Sequence, residues 1–105
     1  MRLESTLKGK HEAMRTAARR DANEPEIVEA LRRAGCTVAF IDEPCDLLVG
    51  HAQKSYMLEV KDGSKPLSKR VLTDRERKFH ATWAGQVAIV ESVEEALAVV
   101  FDRVV

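Results

Sequence analysis

Three charged side chains interrupt the apolar run "CDLLVGHAQKSYMLEVKDG", residues 45–63: Asp46, Glu59 and Lys61. A charge in a half-buried sheet is costly unless it is paired, so their placement asks for a reason. The run reads as a β-hairpin. If its turn is centred on Ala52-Gln53, paired residues have numbers that sum to 105 and Asp46 lies opposite Glu59. Opposed side chains have Cβ atoms about 4.5–5.5 Å apart, and like charges there repel. Glu59 and Lys61 are two apart, so they leave the strand on the same face.

The lysine offsets only part of the repulsion between the two carboxylates. A hard divalent cation offsets it better. Mg²⁺ is commonly held by one or two carboxylates, with waters and substrate phosphate completing its shell. The carbonyl of Val60, between the two motif residues, offers a further ligand. Such an ion lowers the pKa of bound water and stabilises charge on a phosphoryl group. Lys61 would stand beside that water, to orient it, keep it deprotonated or neutralise the developing phosphorane. The competing reading is a sheet-edge salt bridge between Asp46 and Lys61, with Glu59 solvated. The strongly apolar flanks favour central strands, and with them the metal reading.

The remaining elements must position these groups. "DANEPEIVEALRRAGCTV" predicts a helix over 24–34: Asn23 as cap, Pro25 in the first turn, Ile27, Val28 and Leu31 on one face, Arg32 and Arg33 at the end, Gly35 as the stop. "CTVAFID" is a β-branched strand ending in the turn Asp42-Glu43-Pro44. "DLLVG" and "SYMLEVK" follow as strands, then a basic loop. "TDRERKFHATWAG" opens on a capping-box pattern, Thr73 with Glu76, and is anchored by Leu72, Phe79 and Trp83. "QVAIVE" is a short buried strand, and "SVEEALAVVFDRVV" a closing helix with Ser92 and Glu95 as a second capping box. A strand reached through a helix joins by a crossover. The expected class is therefore α/β: a small central mixed sheet, an antiparallel hairpin plus a crossover strand, flanked by helices. Residues 1–20 read as a basic helix or arm and 21–105 as the domain proper.

The 105 residues carry no net charge, but the sign alternates in blocks. Residues 1–20 hold six Lys/Arg against two Asp/Glu, 21–62 four against nine, 63–80 six against two, and 81–105 one against four. An acidic middle between basic segments suits a site that holds a cation and faces a polyanion; differently charged solvated faces are the plainer account. No apolar stretch approaches a membrane span and no secretory h-region is present, so a cytoplasmic protein is expected. Cys36 and Cys45 make neither a disulfide framework nor a four-ligand zinc set and read as buried thiols. His11, His51 and His80 lack mutual zinc spacing and read as surface residues. Trp83 reads as core from its spacing to Phe79.

Pro44-Cys45-Asp46 … Glu59-Val60-Lys61 resembles the PD-(D/E)XK nuclease superfamily, with one tolerated residue between proline and aspartate. Over residues 19–101, "DANEPEIVEALRRAG", "DLLVG", "EVKDGSKP" and "LTDRERKFHATWAG" resemble the small VRR-NUC-type (virus-type replication-repair) nucleases of phages and prophages, akin to Holliday junction resolvases. The resemblance implies a restriction-endonuclease-like core and a structure-selective DNA endonuclease dependent on Mg²⁺ or Mn²⁺, acting on branched DNA in replication, recombination or repair. It implies that Asp46 and Glu59 ligate the metal and that Lys61 serves the attacking water. It also implies a glutamate from the preceding helix; Glu26 matches that position best, and Glu29 is the other candidate. Glu26 would equally complete a capping box with Asn23. Members often act as homodimers, and the apolar Val99, Val100, Phe101, Val104 and Val105 suit either core or a dimer patch.

Lys65, Lys69, Arg70, Arg75, Arg77 and Lys78 follow the motif, as phosphate contacts or as a solvated loop and helix face. A reading from another class keeps the fold without the chemistry: a DNA-binding or assembly module of a phage replication or packaging system. Opposed carboxylates favour the enzyme, because a binding module need not tolerate them.

Overall fold

Side-chain alternation decides which face of the sheet is covered. Strand β2 (Leu47–His51) buries Leu47 and Val49 and exposes Leu48. Strand β3 (Lys54–Val60) buries Tyr56, Leu58 and Val60 against the same core. The computed structural model describes residues 20–102. Within them the order is α1 (Glu24–Arg33), β1 (Thr37–Phe40), β2, β3, a 3-10 turn (Leu67–Lys69), α2 (Asp74–Thr82), β4 (Val87–Val90) and α3 (Val93–Phe101). The basic segment 1–19 and the valines 104 and 105 lie outside the described residues.

The sheet runs β1-β2-β3-β4. The first three strands are antiparallel and β4 lies parallel to β3, reached through α2. This is the α/β class with the mixed sheet that the sequence predicts. Leu47 pairs with Leu58 and His51 with Lys54, so the hairpin has the expected register. Its turn residues, Ala52 and Gln53, have φ of 52° and 65°. Two positive φ values define the turn that suits the twist of a two-residue hairpin, and it is usually made by Asn or Gly.

Helix α1 buries Ile27, Val28 and Leu31. Gly35, at φ 99°, ends it in a conformation that glycine adopts without steric cost. Asn23 does not cap the helix by its side chain. Instead its Nδ2 donates to the carbonyls of Lys61 and Glu91, both at 3.1 Å, and ties the start of α1 to the ends of β3 and β4. The backbone of Asn23 is already helical, which turns its side chain away from the N–H groups a cap would meet. Helix α3 has half of its expected box: Ser92 Oγ accepts from the Glu95 N–H, but Glu95 Oε1 accepts from the Glu91 N–H.

Helices α1 and α3 supply Ile27, Leu31, Ala96 and Val100 to the core beneath Leu47, Val49, Leu58 and Val90. Each fully buried aliphatic side chain contributes about 1.5–3 kcal/mol. Val99 and Phe101 pack partly buried against this core, so the described part of the apolar C-terminal segment is structural.

Helix α2 is different. Its capping box is complete, Thr73 with Glu76, yet it buries no residue fully. Trp83 is 47% exposed, which corrects its expected place in the core. It follows the last turn of α2 and packs on Phe79, ring centroids 5.2 Å apart, so the four-residue spacing joins the two rings to each other. The helix instead reaches the uncovered sheet face through polar side chains.

Candidate metal centre

Asp46 immediately precedes β2, and Glu59 is the penultimate residue of β3. The ladder ends at the Leu47–Leu58 pair, and Asp46 makes the next links to β3. Its N–H donates to the Leu58 carbonyl at 3.2 Å, and the Val60 N–H donates to Asp46 Oδ2 at 2.8 Å. Lys61 N–H turns the other way, to the Val90 carbonyl at 3.0 Å. Peptide groups alternate along a strand, so the Val60 carbonyl faces the same edge as the Asp46 carboxylate.

Glu59 is 5% exposed on the face opposite the aliphatic core. Lys61 Nζ lies 3.5 Å from Glu59 Oε2 and 3.3 Å from Glu76 Oε1. Glu76 Oε1 also accepts from the Thr73 N–H at 2.9 Å. One carboxylate oxygen thus caps α2 and holds the lysine. The sequence shows Glu76 as a capping residue; its second role needs the crossover that brings α2 beside β3.

Of the acids on α1, the structure turns Glu24 rather than Glu26 toward Asp46. Glu24 is 2% exposed and is near enough to Asp46 to feel its charge. Glu26 is exposed and lines a shallow surface hollow with Asn23, Asp62, Ser64 and Glu91. Glu29 is exposed and pairs with Arg33 at 2.9 Å. Two residues turn a helix by about 200°, so Glu24 and Glu26 point to opposite sides. Glu24, Ile27, Val28 and Leu31 follow the buried spacing i, i+3, i+4, i+7; extending the apolar stripe backward finds Glu24. Arg20 Nη1 donates to Glu24 Oε2 at 2.6 Å, Arg20 also pairs with Asp42, and its guanidinium sits 4.6 Å from the Phe40 ring centroid.

These surroundings set the charges. Burial raises Glu24 to about 7 against the pull of Arg20. Burial raises Asp46, opposed by the Val60 N–H and Arg20. Burial, with Asp46 and Glu76 beside it, raises Glu59 to about 8. Burial pulls Lys61 down, but Glu59 and Glu76 outweigh it and the ammonium is held above its usual range. Burial also opposes the charge on Glu76, yet the Thr73 N–H and Lys61 keep it below the ordinary carboxylate range. The buried acids are under-compensated, and their donors are oxygens. That set fits a hard divalent ion.

Two residues read as inert stand at the same place. Cys45 Sγ lies 3.9 Å from His80 Nε2, and one ligand atom each from Cys45, Glu59 and His80 fall within 4.8 Å of one another. Burial, then Glu59, Asp46 and Glu76, push the Cys45 thiol up to about 12, and burial lowers His80. His80 is half-buried four residues after Glu76, hence on the same side of α2. His51 ends β2 and lies against Phe101, ring centroids 4.3 Å apart.

The basic residues divide. Lys65 pairs with Asp21 at 2.9 Å, Arg70 with Glu91 at 3.2 Å, Arg75 with Glu43 at 3.0 Å and Arg77 with Asp74 at 2.7 Å. Lys69 and Lys78 are exposed and form no ion pair among the described residues. Arg70 is partly buried, and its pair links the loop after β3 to the end of β4.

No family model, curated protein or solved structure matches the chain. Among the described residues no helix is long and apolar enough to cross a membrane.

Proposed function

We propose that the protein is a divalent-metal-dependent DNA endonuclease, selective for branched DNA. One observation carries this reading: Asp46 and the buried Glu59 adjoin, Glu24 lies within electrostatic reach, and the Lys61 ammonium stands 3.5 Å from Glu59. Burying that much acid without full compensation is destabilising in a purely structural role. Asp46 and Glu59, with the Val60 carbonyl and Glu24, would hold Mg²⁺ or Mn²⁺. Such an ion supplies positive charge to the phosphoryl group and makes water more acidic.

The chain's own residues do the rest. The Val60 N–H fixes the Asp46 carboxylate, leaving its second oxygen to bind. Lys61 keeps its proton, so it acts as a donor that orients water and neutralises charge on the phosphorane. Glu76 holds Lys61 in place from α2. Arg20 restrains Glu24, the carboxylate reaching in from α1. Lys69 and Lys78, with Lys65 and Arg75 when their surface pairs open, contact phosphates near the cut. A homodimer would present two such sites to the two strands of a junction.

The test is cleavage of a plasmid and of a four-way junction with Mg²⁺, Mn²⁺ or EDTA. The expected result is metal-dependent nicking or cutting, lost in Asp46→Ala, Glu59→Ala and Lys61→Ala. Wild type that binds these DNAs and cuts none of them, with either metal, overturns the enzyme in favour of a binding module.

A further inference from the structure

We propose that Cys45, Glu59 and His80 form a second cation site, one suited to Zn²⁺ and sharing Glu59 with the all-oxygen set. The first support is geometric. The three ligand atoms lie within 4.8 Å of one another, with Sγ and Nε2 at 3.9 Å. Around a tetrahedral zinc, with bonds of about 2.0–2.3 Å, neighbouring ligand atoms stand about 3.5 Å apart. The ligand atoms therefore stand up to about 1.3 Å farther apart than around a bound zinc, and binding must draw the three side chains together.

The second support is the donor set. A thiolate, an imidazole and one carboxylate select a borderline ion over Mg²⁺, which takes oxygen ligands. Three protein ligands leave a fourth position for water or a phosphate oxygen.

The third is the contrast between the two cysteines. Cys36 belongs to the aliphatic core cluster, whereas Cys45 is 1% exposed and stands outside it. Cys45 is the residue between Pro44 and Asp46, at the turn into β2. Its neighbours there are His80 and Glu59. An inert core thiol needs no such company.

Because Glu59 serves both sets, the two ions compete for its carboxylate. Zinc at Cys45–Glu59–His80 withdraws a carboxylate from the hard ion and stops Mg²⁺-dependent cleavage. That consequence rests on the nuclease reading; the binding site itself does not. Binding releases the Cys45 thiol proton to solvent as the sulfur–metal bond forms.

The test uses the full chain, kept reduced, with Co²⁺ as a spectroscopic probe and Zn²⁺ as its competitor. Wild type and Cys36→Ala are expected to give a thiolate-to-cobalt charge-transfer band and the intense visible bands of tetrahedral Co²⁺, both erased by Zn²⁺. Cys45→Ala is expected to give neither. His80→Ala changes a partly exposed helix position and serves where Cys45→Ala fails to fold. It should weaken Co²⁺ by at least the ~10–100-fold typical of losing an outer-shell partner. No charge-transfer band in wild type, or a band that survives in Cys45→Ala, overturns the site, whatever the cleavage assay shows. With cleavage established, micromolar Zn²⁺ should inhibit wild type and spare His80→Ala; equal inhibition of both overturns the shared-ligand claim alone.

Discussion

Lys61 and Glu76 are joined by an ion pair, Nζ to Oε1 at 3.3 Å, that ties the end of β3 to the first turn of α2. The same Oε1 accepts from the Thr73 N–H at 2.9 Å, so helix capping and lysine placement share one atom. Glutamine fills the third position of a capping box as glutamate does, but it carries no charge for the ammonium.

Glu76→Gln keeps the cap and loses only the ion pair, so it should cost no more than about 1 kcal/mol of stability. It should slow DNA cleavage about tenfold, or ~1.4 kcal/mol of barrier. Lys61→Ala should slow it by about 10² or more, as when a preorganised donor is removed. Comparing urea denaturation with single-turnover cleavage checks this. A stability loss in Glu76→Gln with undiminished cleavage would make the Lys61–Glu76 contact a structural ion pair with no part in cleavage.

A second expectation concerns the hairpin that sets the site's register. Ala52 and Gln53 both sit at positive φ, which L-residues other than Asn and Asp adopt at a cost of about 1–2 kcal/mol. Replacing them together by Asn-Gly should stabilise the protein by about 1 kcal/mol, read as a rise in the urea midpoint at constant m-value. No gain would mean that the turn relaxes in solution.

The hairpin also shows how far the sequence carries. Apolar alternation on both sides of Ala52-Gln53 fixes the pairing, so Asp46, Glu59 and Lys61 converge where arithmetic on the register puts them. The crossover strand is legible as a continuous apolar run, "QVAIVE", but it lies at the sheet edge and buries only Val90, with Ile89 43% exposed, so it is not the buried strand that the run implies. Long-range partners are not legible in this way. Nothing local tells Asn23 to bond the Lys61 and Glu91 carbonyls, 38 and 68 residues away. His80 meets Cys45 because α2 swings beside β3, and no spacing rule encodes that approach. The orientation of the α1 acids is legible: the stripe of Ile27, Val28 and Leu31 marks the buried side, Glu24 lies on it, and Glu26 does not.

Substitution tells the two α1 acids apart. Glu24→Gln should lower cleavage and weaken Mg²⁺, while Glu26→Gln should leave both within twofold, since Glu26 points away from Asp46. Titration of Mg²⁺ against melting temperature separates binding from chemistry. Equal effects of the two substitutions would place the helix carboxylate outside the centre.

The basic residues should separate by what already holds them. Lys69→Ala and Lys78→Ala should weaken DNA binding and each flatten the plot of log K against log salt by about 0.9, the share of one phosphate. Arg70→Ala should act on stability instead, because its partner Glu91 adjoins the end of β4. Filter binding across salt concentrations, beside thermal melts, distinguishes the two behaviours.

The burial of Glu59 and Glu24 gives a pH dependence with a definite sign. Their folded values, about 8 and about 7, lie above the ordinary glutamate value near 4.5. Between those limits the native state holds protons that the unfolded chain has released. Stability must then fall as pH rises: the benefit is whole below pH 4.5 and is lost progressively up to about 8. Metal-free protein should melt at a lower temperature at pH 8 than at pH 5. Mg²⁺ at a hundredfold excess over its dissociation constant should restore about 2.7 kcal/mol at the higher pH, because it binds the ionised acids. In Glu59→Gln the metal-free protein should be the more stable one at pH 8, its slope shallower and its response to Mg²⁺ largely gone. If Glu59→Gln instead melts lower than wild type at pH 8 without metal, the Lys61–Glu59 contact is a structural salt bridge, and the carboxylates are not waiting for an ion.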